Sequence, residues 1–319
     1  MKKITIIFSV LFIISACATN VADDVMVGDD GEDARYRAQL AATPMLDYEK
    51  TVLSLDPVLS VASVSAIAED EEGNLYILQR GAESAPVIVA DPDGNVLRTF
   101  GEGLFTRPHA IRIDDDGAVW TVDSTTSIVR KFSPQGQLLM TIDVGDLFDP
   151  GRESCASSDI AFAANGNVYI SDGYCNSRIL QYSSSGERLM LWGIAGDGPG
   201  EFDLPHAISM SPAGDVYVAD RENGRVQWFD QNGIFLGEWD YGGRILSMDF
   251  TAEGELFIGA EPKGAPPMQE ASLIKLNPET GQMLGRIPGF AHALNVAQDG
   301  TLLAGSLSGE IILYRPGAR

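Results

Sequence analysis

The sequence predicts an all-β chain folded as a closed six-bladed β-propeller, and three observations lead there. An Xaa-Gly turn recurs between runs of strand-forming residues at Gly73, Gly117, Gly166, Gly214, Gly254 and Gly300, a period of 40–50 residues. A second turn follows in five repeats, at Gly94, Gly136, Gly186, Gly233 and Gly281, each ahead of another apolar run. Strand, turn, strand, connector, strand, turn, strand is the pattern of a four-stranded blade. The last repeat has room for only three strands before Arg319. Its fourth is expected from Glu49–Leu55, closing the ring with the N-terminal strand and covering the open edge. An open solenoid, the alternative architecture, accounts for neither the second turns nor the short last repeat.

Taken in order, residues 1–17 read as a lipoprotein signal peptide. Lys2 and Lys3 precede Ile4–Ile14, an apolar stretch too short to span a membrane as a mature helix. Ile14-Ser15-Ala16-Cys17 resembles a bacterial lipobox, in which Cys17 is diacylated and becomes the new N-terminus. Ala18 in place of an aspartate favours outer-membrane sorting, by the same resemblance. The expected location is therefore the bacterial cell envelope, with attachment by lipid anchor only. Residues 18–43, with Asp29-Asp30-Gly31-Glu32-Asp33, are acidic and poor in aromatics and read as a flexible tether. Residues 44–319 form the propeller, with blades expected near 61–101, 106–146, 155–195, 203–243, 244–289 and 291–319. Cys155 and Cys175 are the remaining cysteines, and an exported pair in an oxidising compartment is expected to form a disulfide. A formal charge of −23 argues against nucleic acid as a partner.

The chain has three histidines, and all occupy one phase of the repeat. His109, His206 and His292 each lie eight residues before a turn glycine, in Pro108-His109-Ala110-Ile111, Pro205-His206-Ala207-Ile208 and Ala291-His292-Ala293-Leu294. The innermost strand of a blade comes first, so these imidazoles begin the inner strands of blades 2, 4 and 6. Alternate blades of a six-membered ring give threefold spacing around the channel mouth. Three neutral imidazoles without a thiolate suit zinc, with a fourth position open to water or substrate. Other signals yield little. Asp114-Asp115-Asp116-Gly117 is a solvated turn, since Arg112 sits where an EF-hand would need its first ligand. Gly305-Ser306-Leu307-Ser308-Gly309 has leucine where a nucleophile elbow needs serine, and no helix follows Gly196-Asp197-Gly198-Pro199-Gly200 to cradle a phosphate.

Two longer motifs are more specific: Ser171-Asp172-Gly173-Tyr174-Cys175-Asn176-Ser177-Arg178 and Ala219-Asp220-Arg221-Glu222-Asn223-Gly224-Arg225. With Pro199-Gly200-Glu201-Phe202 and Pro205-His206 between them, they resemble the peptidyl-α-hydroxyglycine α-amidating lyase family, whose members are NHL-type propellers. The resemblance runs from about Val64 to Arg319. It implies a catalytic zinc on His109, His206 and His292, a catalytic tyrosine at Tyr174, and catalytic arginines at Arg80 and Arg221. It also implies a disulfide between Cys155 and Cys175, pinning the tyrosine's loop. A structural calcium in the channel would use the backbone carbonyls of Ile67 and Ile111, but Ala293 stands where the family has the aspartate ligand. A second family disulfide is missing, its sites being Tyr217 and Trp228.

The expected function is zinc-dependent cleavage of the C–N bond of a peptidyl-α-hydroxyglycine, or a similar small hemiaminal, to an amide and glyoxylate. Tyr174 would be the general base, Arg80 and Arg221 would bind carboxylate and supply positive charge, and no redox cofactor is needed. No monooxygenase segment is evident in this sequence, so a separate monooxygenase would supply the hydroxylated substrate. The alternative is a non-catalytic NHL-type propeller serving as a binding or scaffold module in the cell envelope. A calcium-dependent propeller lactonase would need an acidic metal cluster where this chain presents histidines.

Overall fold

The computed structural model describes residues 30–145, 156–174 and 176–317. Expectations for the signal segment with Cys17, and for the Cys155–Cys175 pair, fall outside the described residues. Six four-stranded sheets succeed one another along the chain, as the repeat predicts. Their first and last strands are Val64–Glu69 and Val96–Phe100 in blade 1, Pro108–Ile113 and Leu138–Asp143 in blade 2, and Asp159–Phe162 and Arg188–Trp192 in blade 3. Blade 4 runs from Pro205–Met210 to Phe235–Asp240 and blade 5 from Arg244–Phe250 to Met283–Pro288. Blade 6 supplies Leu294–Val296, Leu302–Ala304 and Ile311–Pro316, and takes its fourth strand from Tyr48–Leu53. That strand pairs antiparallel in unbroken register, Tyr48 opposite Pro316 through Leu53 opposite Ile311.

The turn glycines have a local cause. At Gly117 φ is 77°, a left-handed conformation that costs glycine nothing. The turn is held by Gly117 N–H donating to the Asp114 carbonyl and by Ala118 N–H donating to the Asp114 carboxylate, at 2.8 Å each. The acidic run at 114–116 is thus a strand connector, as expected.

The apolar core is divided among the gaps between neighbouring blades. Blades 1 and 2 share Tyr76, Leu78, Phe100, Val119 and Phe132, and blades 6 and 1 share Leu303, Leu313, Ile67 and Ile77. The other four gaps hold comparable clusters, so each sheet is apolar on both faces and the ring has no free face. Position within this ring, rather than any local signal, decides what reaches the central channel.

One expectation is corrected. Within the stretch expected to be a tether, residues 30–42 form helix α1 (Asp30–Ala42), which docks on the propeller. Tyr36 and Leu40, one helical turn apart, pack into the cluster between blades 4 and 5, and Tyr36 is fully buried over Gly243. The acidic residues that suggested disorder are anchors: Asp33 accepts the Lys263 and Gly264 amides at 2.6 and 2.5 Å, and Glu32 pairs with Lys263 at 2.7 Å. Composition registers the charge but not the i, i+4 spacing that puts two apolar side chains on one face.

Among the described residues the buried Tyr36 hydroxyl has no hydrogen-bond partner, so Tyr36→Phe should leave stability unchanged or slightly raised. Tyr36→Ala should cost about 3 kcal/mol through the cavity it leaves. Denaturant midpoints of the two variants, compared with the wild type, check this.

Candidate metal centre

In five of the six blades the inner strand starts with an irregularity that aims one side chain at the axis. Pairing skips His109 between Pro108 and Ala110, and skips His206 between Pro205 and Ala207. Ser65 and Leu246 are skipped in the same way in blades 1 and 5. In blade 6 the His292 amide and the Ala293 carbonyl both bond to Gly305, again two residues opposite one. A bulge turns its extra residue out of the strand's alternation. In blades 2, 4 and 6 that residue is histidine, and all three are buried, with exposures of 2%, 2% and 8%.

Backbone carbonyls of the next blade orient the His109 and His206 rings. His109 Nδ1 donates to the Ser158 carbonyl at 2.6 Å, and His206 Nδ1 donates to the Leu246 carbonyl at 2.5 Å. Ser158 and Leu246 stand in their own blades where the histidines stand in theirs, eight residues before Gly166 and Gly254. By the same rule His292 should address Ser65 of blade 1. Its Nδ1 is directed there without completing a hydrogen bond. A proton fixed on Nδ1 leaves Nε2 as a lone pair facing the axis, the arrangement that supports metal-bound histidine.

The ligand atoms of the three histidines lie within 4.8 Å of one another. Tyr174 hydroxyl sits among them, 2.6 Å from His109 Nε2 and 3.0 Å from His206 Nε2. One hydroxyl proton cannot satisfy two lone pairs, and protonating the rings is disfavoured. Burial, aided by the neighbouring histidines and arginines, holds His109 and His206 well below the ordinary imidazole value and lowers His292 to about 3. Convergent neutral imidazoles short of donors fit a cation, and the all-nitrogen set with one side open fits zinc.

Tyr174 follows the second strand of blade 3, its amide bonded to the Ala156 carbonyl. Preceding it, Gly173 lies so close to blade 4 that a Cβ there would come within 2.0 Å of the Pro205 carbonyl. Burial raises the Tyr174 phenol, while the charges of Arg221, Arg80 and Arg107 act in the opposite direction. Arg80 Nε donates to the Pro108 carbonyl at 2.9 Å, and its buried Nη2 has no partner among the described residues. Arg221 is more fully engaged, bonding Glu222 at 2.6 Å. Burial would raise the Glu222 carboxyl, but Arg221 and Arg244 outweigh it and hold it low.

The structure therefore gathers His109, His206, His292 and Tyr174 into one cluster, within the electrostatic reach of Arg80 and Arg221. Sequence reasoning missed Arg107, whose exposed position two residues before His109 gave no signal of its own, and the Ser158 and Leu246 carbonyls, which the repeat phase could have revealed. The carbonyls of Ile67 and Ile111, which the resemblance assigns to a calcium, both accept from the Asn295 side-chain amide, at 2.5 and 3.2 Å.

Residues 202–229 match the NHL repeat. The chain is 30% identical over 292 residues to peptidyl-glycine alpha-amidating monooxygenase B of Xenopus laevis, covering 77% of this chain and 33% of the frog protein. It thus spans about a third of that relative's length. Identity is 27% over 323 residues to a probable peptidyl-alpha-hydroxyglycine alpha-amidating lyase of Caenorhabditis elegans, covering 90% and 91% of the two chains. A solved streptogramin B lyase shares the fold, with a TM-score of 0.59, 13% identity and coverage of 84% and 98%.

Replacing any one of His109, His206 or His292 by Ala should weaken divalent transition-metal binding by on the order of 10²-fold or more, at least what loss of a supporting contact costs. Chelator competition on the purified protein measures it.

Proposed function

We propose that this chain belongs with the NHL-repeat propellers that include the peptidyl-α-hydroxyglycine α-amidating lyases, to which it is similar, and that it is a zinc-dependent lyase cleaving the C–N bond of an α-hydroxyglycine-type hemiaminal. The observation that carries this reading is the Tyr174 hydroxyl, held at 2.6 and 3.0 Å between two imidazole nitrogens of the three-histidine cluster, beside an arginine with an unused donor.

The substrate has an amide nitrogen and a hydroxyl on one carbon, next to a carboxylate. Cleavage gives a primary amide and glyoxylate: the hydroxyl proton leaves, its oxygen becomes the aldehyde, and the nitrogen gains a proton as the C–N bond breaks. No electrons are exchanged with a cofactor. Zinc on His109, His206 and His292 would supply Lewis acidity toward the substrate hydroxyl.

The remaining work falls to this chain's side chains. Tyr174 accepts the hydroxyl proton and passes a proton to the departing nitrogen, so the enzyme ends each cycle as it began. Burial favours the neutral phenol, and Arg221, Arg80 and Arg107 bring the phenolate within reach. Among the described residues Arg80 Nε bonds the Pro108 carbonyl while Nη2 has no partner, so Nη2 is the donor assigned to the substrate carboxylate. Arg221, tied to Glu222, acts on the Tyr174 hydroxyl through a hydrogen bond as well as its charge. The same reading places the protein in a bacterial envelope, anchored through Cys17, with a separate monooxygenase supplying substrate.

The test is glyoxylate release from a peptide ending in α-hydroxyglycine, followed with metal content on the same sample. The expected result is turnover that a chelator abolishes and zinc restores. A zinc-loaded protein without turnover on peptide or small hemiaminal substrates would remove the lyase reading. Tyr174→Phe should lower kcat by about 10²–10⁴-fold with zinc retained. Gly173→Ala, which forces the Tyr174 loop off the Pro205 carbonyl, should lower kcat without releasing zinc. Steady-state kinetics with metal analysis distinguishes both from metal loss.

A further inference from the structure

A second polar centre lies deeper in the channel. Three residues beyond His109 on the same strand comes Arg112, and three beyond His292 comes Asn295. The Arg112 guanidinium grips Asp159 through Nε at 3.3 Å and Nη2 at 2.8 Å. Its Nη1 reaches Asn295 Oδ1 at 2.6 Å and Asp249 at 3.1 Å, and Nη2 also reaches the Met248 carbonyl at 3.3 Å. Those contacts give an acceptor to each of the five N–H donors a guanidinium carries.

The acceptors are joined in turn to the rest of the ring. Asn295 donates to the Ile67 and Ile111 carbonyls. Asp249 accepts the Ser209 hydroxyl at 3.0 Å and the Val296 amide at 2.9 Å, and Asp159 accepts the Ile208 amide at 3.3 Å. Blade 1 enters through Ile67, blade 2 through Arg112, blade 3 through Asp159, blade 4 through Ser209, blade 5 through Asp249 and blade 6 through Asn295. Arg112 touches blades 3, 5 and 6 directly, and blades 1 and 4 join the same network through Asn295 and Asp249.

Two carboxylates, backbone carbonyls and an amide oxygen converging on an axis are the donor set of a hard divalent cation. Here the set is already neutralised from within. Turning the Asn295 amide over to offer oxygen to Ile67 and Ile111 would set its NH₂ against the guanidinium, so the orientation that excludes a cation is fixed by Arg112. We infer that Arg112 is the resident cation of this channel, doing by a covalent side chain what the family resemblance assigns to calcium. The guanidinium forms part of the wall of a cavity of about 800 Å³ that opens at the face opposite the histidines and is rimmed by Glu69, Asp70, Glu71 and Asp115. The histidine cluster is consequently braced through the strands of His109 and His292 without a second metal.

Two measurements test this, and neither depends on lyase activity. Protein holding zinc at the histidines is equilibrated with calcium, desalted and analysed for bound elements, and its thermal midpoint is recorded with and without calcium. The expected result is no stoichiometric calcium and an unmoved midpoint. One calcium per chain with a midpoint raised by several degrees would overturn the inference. Arg112→Gln leaves Asp159 and Asp249 facing each other without a cation. Its midpoint should fall, then rise with calcium concentration. A variant as stable as the wild type in calcium-free buffer, or indifferent to calcium, would also overturn it. If the variant fails to fold, the wild-type measurements decide.

Discussion

Antiparallel pairing of Tyr48–Leu53 with Ile311–Pro316 turns a row of six sheets into a ring, and the channel exists only because of that closure. Without it blade 6 would expose a strand edge, and the apolar gap it shares with blade 1 would open to water. The histidines come from blades 2, 4 and 6, up to 183 residues apart in sequence, so nothing local can gather them. A strand of six residues thus sets the geometry of a cluster to which it contributes no side chain.

Closure also fixes how polarity is distributed. The gaps between blades are apolar, while the axis concentrates imidazoles, carboxylates, carbonyls and a guanidinium. Burying such groups is tolerable only where each finds a partner. Near one mouth the Nδ1 atoms of His109 and His206 are satisfied by carbonyls of the next blade, and Nε2 atoms are left over. Deeper in, Arg112 satisfies its neighbours and is satisfied by them. The first centre is short of donors and suited to binding something; the second is complete.

Electrostatics separates by distance in the same way. The whole chain carries a formal charge of −23, which disfavours anions far from the site. Within about one Debye length, roughly 8–10 Å, the local arrangement governs. There the charges of Arg80, Arg107 and Arg221 act on Tyr174. A small anionic group is therefore held by close contact rather than drawn in from afar. The unused donor on Arg80 is the group best placed for that contact.

The repeat, the six blades, the closing strand and the phase shared by His109, His206 and His292 were legible in the sequence. Each leaves a periodic trace: glycine where φ must be positive, and apolar residues where sheets pack. Tyr174, Arg80 and Arg221 were legible only through resemblance, since a lone tyrosine or arginine has no period. Tertiary structure alone decided the rest. Helix α1 docks because Tyr36 meets a gap between blades 4 and 5 that forms only in the folded ring. Ring orientation depends on carbonyls 40 and 49 residues away from their histidines. The direction of the Asn295 amide is set by Arg112 across 183 residues. Sequence records what each strand needs from its own neighbours; closing the ring determines which distant groups must satisfy one another at the axis.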